Sequence, residues 1–434
     1  MSSVQMIWKL NSGADRRVRS GHPWVFSSEV SQNMHGIAAS FMIELQDNKG
    51  QFVAYGYGNP KSQIIFRALS FLQSDKNFAD MGFLVEKVLK AWRAKKSIGF
   101  NKSFRMCYGE ADFFPGLVID YYKVNDGKAS VGQVFALQIL TAGASTLIKD
   151  PSDFIKRLAL QAQHEGLTQM SWDQTAVVLR NDVGVRKLEG LPIEEPNVLK
   201  SFSFDLKSIL IELPNVLMSC DLQHGQKTGF FLDQTHNIFL VCEILKRKLQ
   251  AWPKNLEKKI CILDLCCYVG HWSSQLSAVA KNLGFEVQVD LVDVSKTALA
   301  FAADNARRAG ADQVTVHELD VMEGLAAFAS QSYDVVIADP PAFIKAKKDI
   351  PIGRHAYLKL NTQAFRLAKP EGLVASCSCS GLLTEEDFKE TLRKAISRHV
   401  PESRCIARGG HAGDHSTLMQ FPEGHYLKMF VHQA

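Results

Sequence analysis

Between residues 259 and 378, short apolar runs alternate with helical stretches, and most of the runs end on or just before a carboxylate. Lys259-Ile-Cys-Ile-Leu-Asp-Leu, Val287-Gln-Val-Asp-Leu-Val-Asp, Val314-Thr-Val-His-Glu-Leu, Tyr333-Asp-Val-Val-Ile-Ala and Gly372-Leu-Val-Ala-Ser-Cys-Ser read as strands. Helical segments such as Lys296–Ala309 lie between most of them. Strands separated by helices predict a parallel, doubly wound α/β sheet. Ligands of such sheets sit beyond the C-terminal ends of the strands. Asp264, Asp293, Asp320 and Asp339 stand at four of those ends. One such aspartate would be unremarkable; a series of them in one domain points to a bound ligand.

The chemistry of that ligand can be narrowed. A carboxylate closing the second strand can accept both ribose hydroxyls of a nucleoside, which is where Asp293 falls, and Asp320 is placed for an adenine amino group. The turn Asp264-Leu-Cys-Cys-Tyr-Val-Gly270 leads into a helix, and its glycine lets a methionyl group approach the backbone. A dinucleotide site wants Gly-x-Gly-x-x-Gly after the first strand. Cys266-Cys-Tyr-Val-Gly-His271 has one glycine, and the chain has no Walker-type Gly-Lys-Ser/Thr. The phosphate-cradling readings fail, and S-adenosylmethionine is the expected cofactor.

Two further strings suggest the reaction. Asp339-Pro340-Pro341-Ala342-Phe343 follows a strand that two prolines cannot continue, so the chain leaves the sheet beside the cofactor crevice. Asp-Pro-Pro in that place signals methylation at nucleobases; a proline-stiffened loop is the structural alternative. The next strand ends in Ser376-Cys377-Ser378-Cys379-Ser380-Gly381, where a cysteine is a candidate nucleophile. Carbon-5 of a pyrimidine is a poor nucleophile until a thiolate adds to carbon-6. Against this stand plain packing of a buried cysteine and a Cys-x-Cys metal pair, the latter weakened because no second Cys/His pair has zinc spacing. No metal is therefore expected, and Cys266 and Cys267 read as packing residues.

Upstream, Phe41-Met-Ile-Glu-Leu, Phe52-Val-Ala-Tyr-Gly-Tyr and Ile64-Ile-Phe-Arg-Ala-Leu predict a small β-rich unit, edged by Arg16, Arg17 and Arg19 just ahead of Gly21-His-Pro-Trp24. Residues 73–192 read as a small α+β domain and 193–434 as the α/β domain. The net charge of +5 is compatible with a polyanionic partner without establishing one. Nine cysteines show no disulfide spacing, Met1–Leu10 lacks a signal-peptide layout, and no apolar run approaches membrane-spanning length. A reducing cytoplasm, with no membrane partner, is expected.

With these residues assembled, the chain resembles the large-subunit ribosomal RNA cytosine-5 methyltransferases that carry an N-terminal PUA domain. Gly21-His-Pro-Trp-Val-Phe-Ser-Ser-Glu-Val is similar to the opening of their PUA domain, and Tyr108-Gly-Glu-Ala-Asp to their central domain. Lys227-Thr-Gly-Phe-Phe-Leu-Asp-Gln234 marks entry to the catalytic domain. Ser378–Gly381 and Phe421-Pro-Glu-Gly-His-Tyr-Leu-Lys also match.

The resemblance implies a PUA-like domain over 1–72, a Rossmann-like class I methyltransferase domain, and S-adenosylmethionine held by Phe231, Asp233, Gln234, Asp264, Tyr268, Gly270, Asp293, Asp320 and Asp339. It gives Cys379 the nucleophile position and Asp339 the place beside the base. Pro340, Pro341 and Phe343 would form the base pocket, Lys345 and Arg16, Arg17 and Arg19 would meet RNA, and His415, with Glu423 as rival, would take the carbon-5 proton. Large-subunit ribosomal RNA is the implied partner; a homodimer is compatible with the sequence, which does not fix the oligomeric state. The chain departs from the family at Gly270-His271-Trp272, where paired glycines are usual, and at Thr235-His236, where an arginine is usual. Methylation of a purine nitrogen without a nucleophilic cysteine, or a non-catalytic RNA-binding protein with a decayed cofactor site, are the alternatives.

Overall fold

The alternation between residues 259 and 378 builds a seven-stranded sheet. The structure, a computed structural model, describes residues 4–32, 41–127, 131–253 and 255–434. Across this sheet the strands run Gln313–Glu318, Glu286–Asp293, Lys259–Leu265, Tyr333–Ala338, Ala368–Ser378, Lys428–Gln433, Arg404–Gly409. The first five are parallel and the last two join antiparallel. The order reverses direction at Lys259–Leu265, which pairs with Glu286–Asp293 on one side and Tyr333–Ala338 on the other. A crevice opens beyond the strand ends at such a switch point. The first and fourth strands in sequence thus become neighbours, and their aspartates converge.

Successive side chains of a strand point to opposite faces. Ile260 and Ile262 join one core with Ile238, Leu245, Leu276 and Leu299 from the helices Thr235–Gln250, His271–Asn282 and Lys296–Arg308. Leu263 and Leu265 join a second core with Leu360, Phe365 and Phe388 from Ile350–Leu367 and Glu385–Ile396. Both faces are covered, so the central strands read as continuous apolar runs.

The described chain divides into two compact units. One comprises Met1–Ile211, Asp221–Leu232 and Gly413–Gly424; the other, which holds the sheet above, comprises Glu212–Cys220, Asp233–Ala412 and His425–Ala434.

The first unit carries two β-systems. Near the N-terminus five strands run Met6–Lys9, Phe41–Gln46, Phe52–Gly58, Ile64–Ser70, Trp24–Phe26, around a core of Trp8, Ile43, Leu45, Ile65 and Phe66. Further along, Asn197–Lys200, Thr175–Leu179, Val131–Ile139, Leu117–Asn125 and Ile209–Glu212 lie in that order, with Phe104–Tyr108 also pairing Leu117–Asn125. Two helices, Met81–Ser97 and Pro151–His164, pack against this sheet. The second is capped at its start: Asp150 accepts from Ser152 N and Asp153 N, and Pro151 occupies the first turn. No helix among the described residues is long and apolar enough to cross a membrane.

Candidate functional site

The turn after Lys259–Leu265 is unusual in its backbone. Cys266 (φ 61°), Tyr268 (φ 49°) and Gly270 (φ 77°) all adopt the left-handed region, and only one of them is glycine. Left-handed backbone at non-glycine residues costs of order 1–3 kcal/mol each and persists where the surroundings over-determine it. Here Cys267 N donates to Val292 O at 3.0 Å and Tyr268 N donates to Asp293 Oδ2 at 2.9 Å, pinning the turn to the neighbouring strand. A side chain on Gly270 would meet Ala302 and Ser273 at 3.1 Å, so the glycine serves both backbone angle and helix contact.

Asp264 lies beneath this turn, fully buried. Its Oδ2 accepts from Ser273 N at 3.1 Å, while Oδ1 has no hydrogen-bond partner among the described residues. Burial pushes its carboxyl up to about 7, and Asp339 and Asp293 push the same way. Asp293 is half-buried, with Oδ1 accepting from Ser295 N at 2.9 Å. Asp320 follows the strand Gln313–Glu318 by two residues, is exposed, and accepts from Met322 N at 2.8 Å.

Asp339 closes the other side of the crevice. Gln234 Nε2 donates to its Oδ1 at 2.8 Å and Trp272 Nε1 to its Oδ2 at 3.0 Å. Gln234 is itself oriented by Asn237 Nδ2, which donates to its Oε1 at 2.6 Å. The neighbouring Asp233 is buried and accepts from the Tyr426 hydroxyl at 2.7 Å. Trp272 lies where the chain departs from the family it resembles, and only the folded structure reveals that its indole holds the Asp339 carboxylate.

The Asp-Pro-Pro loop is sewn to the end of Ala368–Ser378. Ile344 N donates to Ser380 Oγ at 3.1 Å, the Tyr357 hydroxyl lies 2.9 Å from the same oxygen, and Phe343 packs edge-on against Tyr357 at 4.8 Å. Cys379, half-buried just past the strand end, points its Sγ at Pro340 O, 3.8 Å away. Cys377 is fully buried in the core, and burial pushes its thiol far up. Burial likewise pushes up the thiols of Cys266 and Cys267, in keeping with packing roles. Pro340 is buried, Pro341 exposed, and Lys345, Lys347 and Lys348 are exposed beside the loop. Among the described residues no group of His, Cys, Asp and Glu could hold a metal ion.

Other sequence candidates fall in the first unit. Phe231 lies under Lys227, whose Nζ is 4.4 Å from the ring. His415 is buried, with Nδ1 2.9 Å from Asp414 Oδ1 and its ring 5.2 Å from that of Tyr108. Asp414 also accepts from Arg105 N at 2.8 Å. Glu423 lies 3.3 Å from His22 Nε2 and, with Trp24, Tyr108 and Phe421, lines a cavity of about 540 Å³. The three arginines sit on or beside the short helix Asp15–Arg19. Arg17 pairs with Glu29 (2.7 Å), Arg19 with Asp15 and Asp47 (both 2.9 Å), and Arg16 is exposed.

The crevice therefore offers three converging carboxylates, an unmet buried oxygen and a glycine-hinged turn. A cationic sulfonium carrying a nucleoside and an amino acid suits that donor set. The strand order and the crevice define a class I S-adenosylmethionine-dependent methyltransferase. The comparisons agree: a methyltransferase domain model matches residues 256–418 and a PUA-like domain model residues 9–71. A SAM-dependent methyltransferase from Streptococcus mutans shares the fold (TM-score 0.69, 16% identity, covering 99% of this chain and 100% of that one). So does a methyltransferase complexed with SAH (TM-score 0.70, 16% identity, 99% and 100%).

Among curated proteins, the ribosomal RNA large subunit methyltransferase I of Serratia proteamaculans is 30% identical over 97% of this chain and 98% of its own length. That of Shewanella denitrificans is 29% identical over 98% of each. The chain belongs to the ribosomal RNA large subunit methyltransferase I family.

Proposed function

We propose that this protein methylates carbon-5 of a cytosine in large-subunit ribosomal RNA through a covalent bond between Cys379 and carbon-6. The relatives are named for large-subunit ribosomal RNA, which supports the substrate class. The observation that carries the chemistry is the place of Cys379: past the strand end, half-buried, and 3.8 Å from the carbonyl of Pro340, next to Asp339. A cysteine kept only for packing would sit where Cys377 does.

S-adenosylmethionine, when bound, supplies an electrophilic methyl group. Asp293 would hold its ribose, Asp320 its adenine edge, and Asp264 with the Cys266–Gly270 turn its amino-acid end. Phe231, Asp233, Gln234 and Tyr268 complete the proposed cofactor set. The target base must leave its stack to reach the cleft of Pro340, Pro341 and Phe343. The Cys379 thiolate adds to carbon-6, which makes carbon-5 nucleophilic; loss of the carbon-5 proton later restores the ring and expels the thiolate. Asp339, oriented by Gln234 and Trp272, shares a proton with the ring nitrogen of the base, offsetting charge that develops there. Arg16 and Lys345 would meet phosphates.

For the carbon-5 proton, His415 is the proposed acceptor because Asp414 orients its imidazole. In His415→Asn, turnover should fall with the melting temperature held; a lower melting temperature with normal turnover makes it a brace. The central test is methyl transfer from labelled S-adenosylmethionine to undermethylated large-subunit RNA, with nucleoside analysis, for wild type and Cys379→Ala. 5-Methylcytidine with the wild type alone supports the proposal. A methylated purine from both proteins overturns the cysteine mechanism, and no transfer or cofactor binding by either points to a non-catalytic RNA-binding protein.

A further inference from the structure

The thiol of Cys379 needs a route to thiolate, since free cysteine ionises near pH 8.5. The last parallel strand and its antiparallel partner supply a candidate. Ser378 stands directly opposite Lys428 in the register of Ala368–Ser378 against Lys428–Gln433. The lysine side chain folds back over the turn that follows. Its Nζ donates to Ser380 O at 3.0 Å and to Tyr426 O at 2.9 Å, so it is held against the backbone of the residue next to Cys379. Two of three donor directions are thereby fixed by carbonyls.

We propose that Lys428 activates Cys379: its neutral amine takes the thiol proton, and the resulting ammonium holds the thiolate until it adds to the base. The S–H bond breaks, an N–H bond forms, and the electron pair stays on sulfur. When the thiolate is expelled after methylation, the same ammonium receives it. Because Lys428 is protonated during that interval, the carbon-5 proton goes to another group.

The electrostatics fit this geometry. Burial brings the Lys428 ammonium down to about 8, and the groups opposing that shift are Cys379 and Glu385. An amine and a thiol of similar proton affinity exchange a proton at little cost. Tyr357 and Cys377 also face Cys379 and are pushed upward by burial, so they remain neutral; Asp339 and Glu385 are acidic. Among these groups Lys428 is the cation. Sequence reasoning places Lys428 at the end of the Phe421–Lys428 string without giving it a task, because nothing local shows that the register brings it across from Ser378.

The inference rests on the nucleophile reading, yet its test does not. Alkylation of Cys379 by iodoacetamide, followed across pH 6–10 by peptide mass spectrometry on the full chain, reads thiolate formation whatever atom is methylated. The wild type should show an inflection below about 8.5. In Lys428→Met it should rise by about one pH unit or more, with roughly tenfold slower alkylation at pH 7. Lys428→Arg keeps the charge that holds the thiolate but has no neutral form to take the proton, so its inflection should stay within about half a unit of the wild type while methyl transfer slows. Calorimetric binding of S-adenosylmethionine verifies that each variant is folded. An unchanged inflection in Lys428→Met, or an equal rise in Lys428→Arg, overturns the proposal. If the inflections move as expected while Cys379→Ala still methylates RNA, thiol activation stands and the cytosine mechanism falls.

Discussion

The arginines of the N-terminal helix and the carboxylate of Asp339 look alike in the sequence, as charges in suggestive places, and the structure treats them in opposite ways. Arg17 and Arg19 are met by Glu29, Asp15 and Asp47 within their own unit. Their charge is neutralised locally, and exposed pairs of this kind contribute about 0.2–1 kcal/mol. Asp339 is met by an amide and an indole, both neutral. These two donors fix its position. A charge answered by an opposite charge serves the fold; a carboxylate oriented by an amide and an indole is set in place for a site.

The comparison can be broken most severely at Asp339. Asp339→Asn turns an NH₂ toward one of two donors, so activity should drop about 10²- to 10³-fold with the fold intact, measured as kcat for methyl transfer. A loss under threefold would mean the carboxylate is ornamental. Trp272→Phe removes one donor and keeps the ring. Hydrogen bonds to charged groups are worth about 1.5–3 kcal/mol, so kcat should fall roughly tenfold or more while cofactor affinity changes less.

Asp264 sharpens the comparison from a third side, being a carboxylate with one oxygen unmet. Its folded value of about 7 lies above the unfolded carboxyl value near 3.9. The native state therefore holds an extra proton between these values. The stability this contributes is complete below about pH 4 and is lost as pH rises through 7. Without cofactor, Asp264→Asn should melt roughly 2–4 °C above the wild type at pH 8, the gap narrowing at pH 5, and should bind S-adenosylmethionine more weakly. A gap independent of pH would show that the carboxyl is not protonated in the fold. The smallest effect belongs to the arginines. Arg16→Ala should lower the salt slope of RNA binding by about one, and Arg17→Ala should leave that slope alone while costing under about 1 kcal/mol of stability.

Much of the catalytic sheet was legible beforehand because each parallel strand carries its own apolar signal and four of the five end at or near an aspartate. The helix Lys296–Arg308, expected over Lys296–Ala309, was legible for the same local reason. What could not be read is what depends on distant partners. Nothing around Trp272 announces that it will meet Asp339, 67 residues away. The left-handed backbone at Cys266 and Tyr268 carries no glycine to mark it. His415 sits in a stretch that joins the first unit although the sequence around it belongs to the second, and that stretch's contacts with Arg105, Tyr108 and His22 show the return.

That return has a consequence for how the molecule is made. Asp414, which caps the Arg105 backbone in the first unit, leaves the ribosome more than 300 residues after its partner. During synthesis nearly all of the second unit emerges while the first still lacks its final piece. Domains that are continuous in the chain can finish folding in order of appearance; here the N-terminal unit is the first begun and among the last completed. A nascent chain stalled before residue 413 should carry the five parallel strands without Lys428–Gln433, and an N-terminal unit that is still open to exchange.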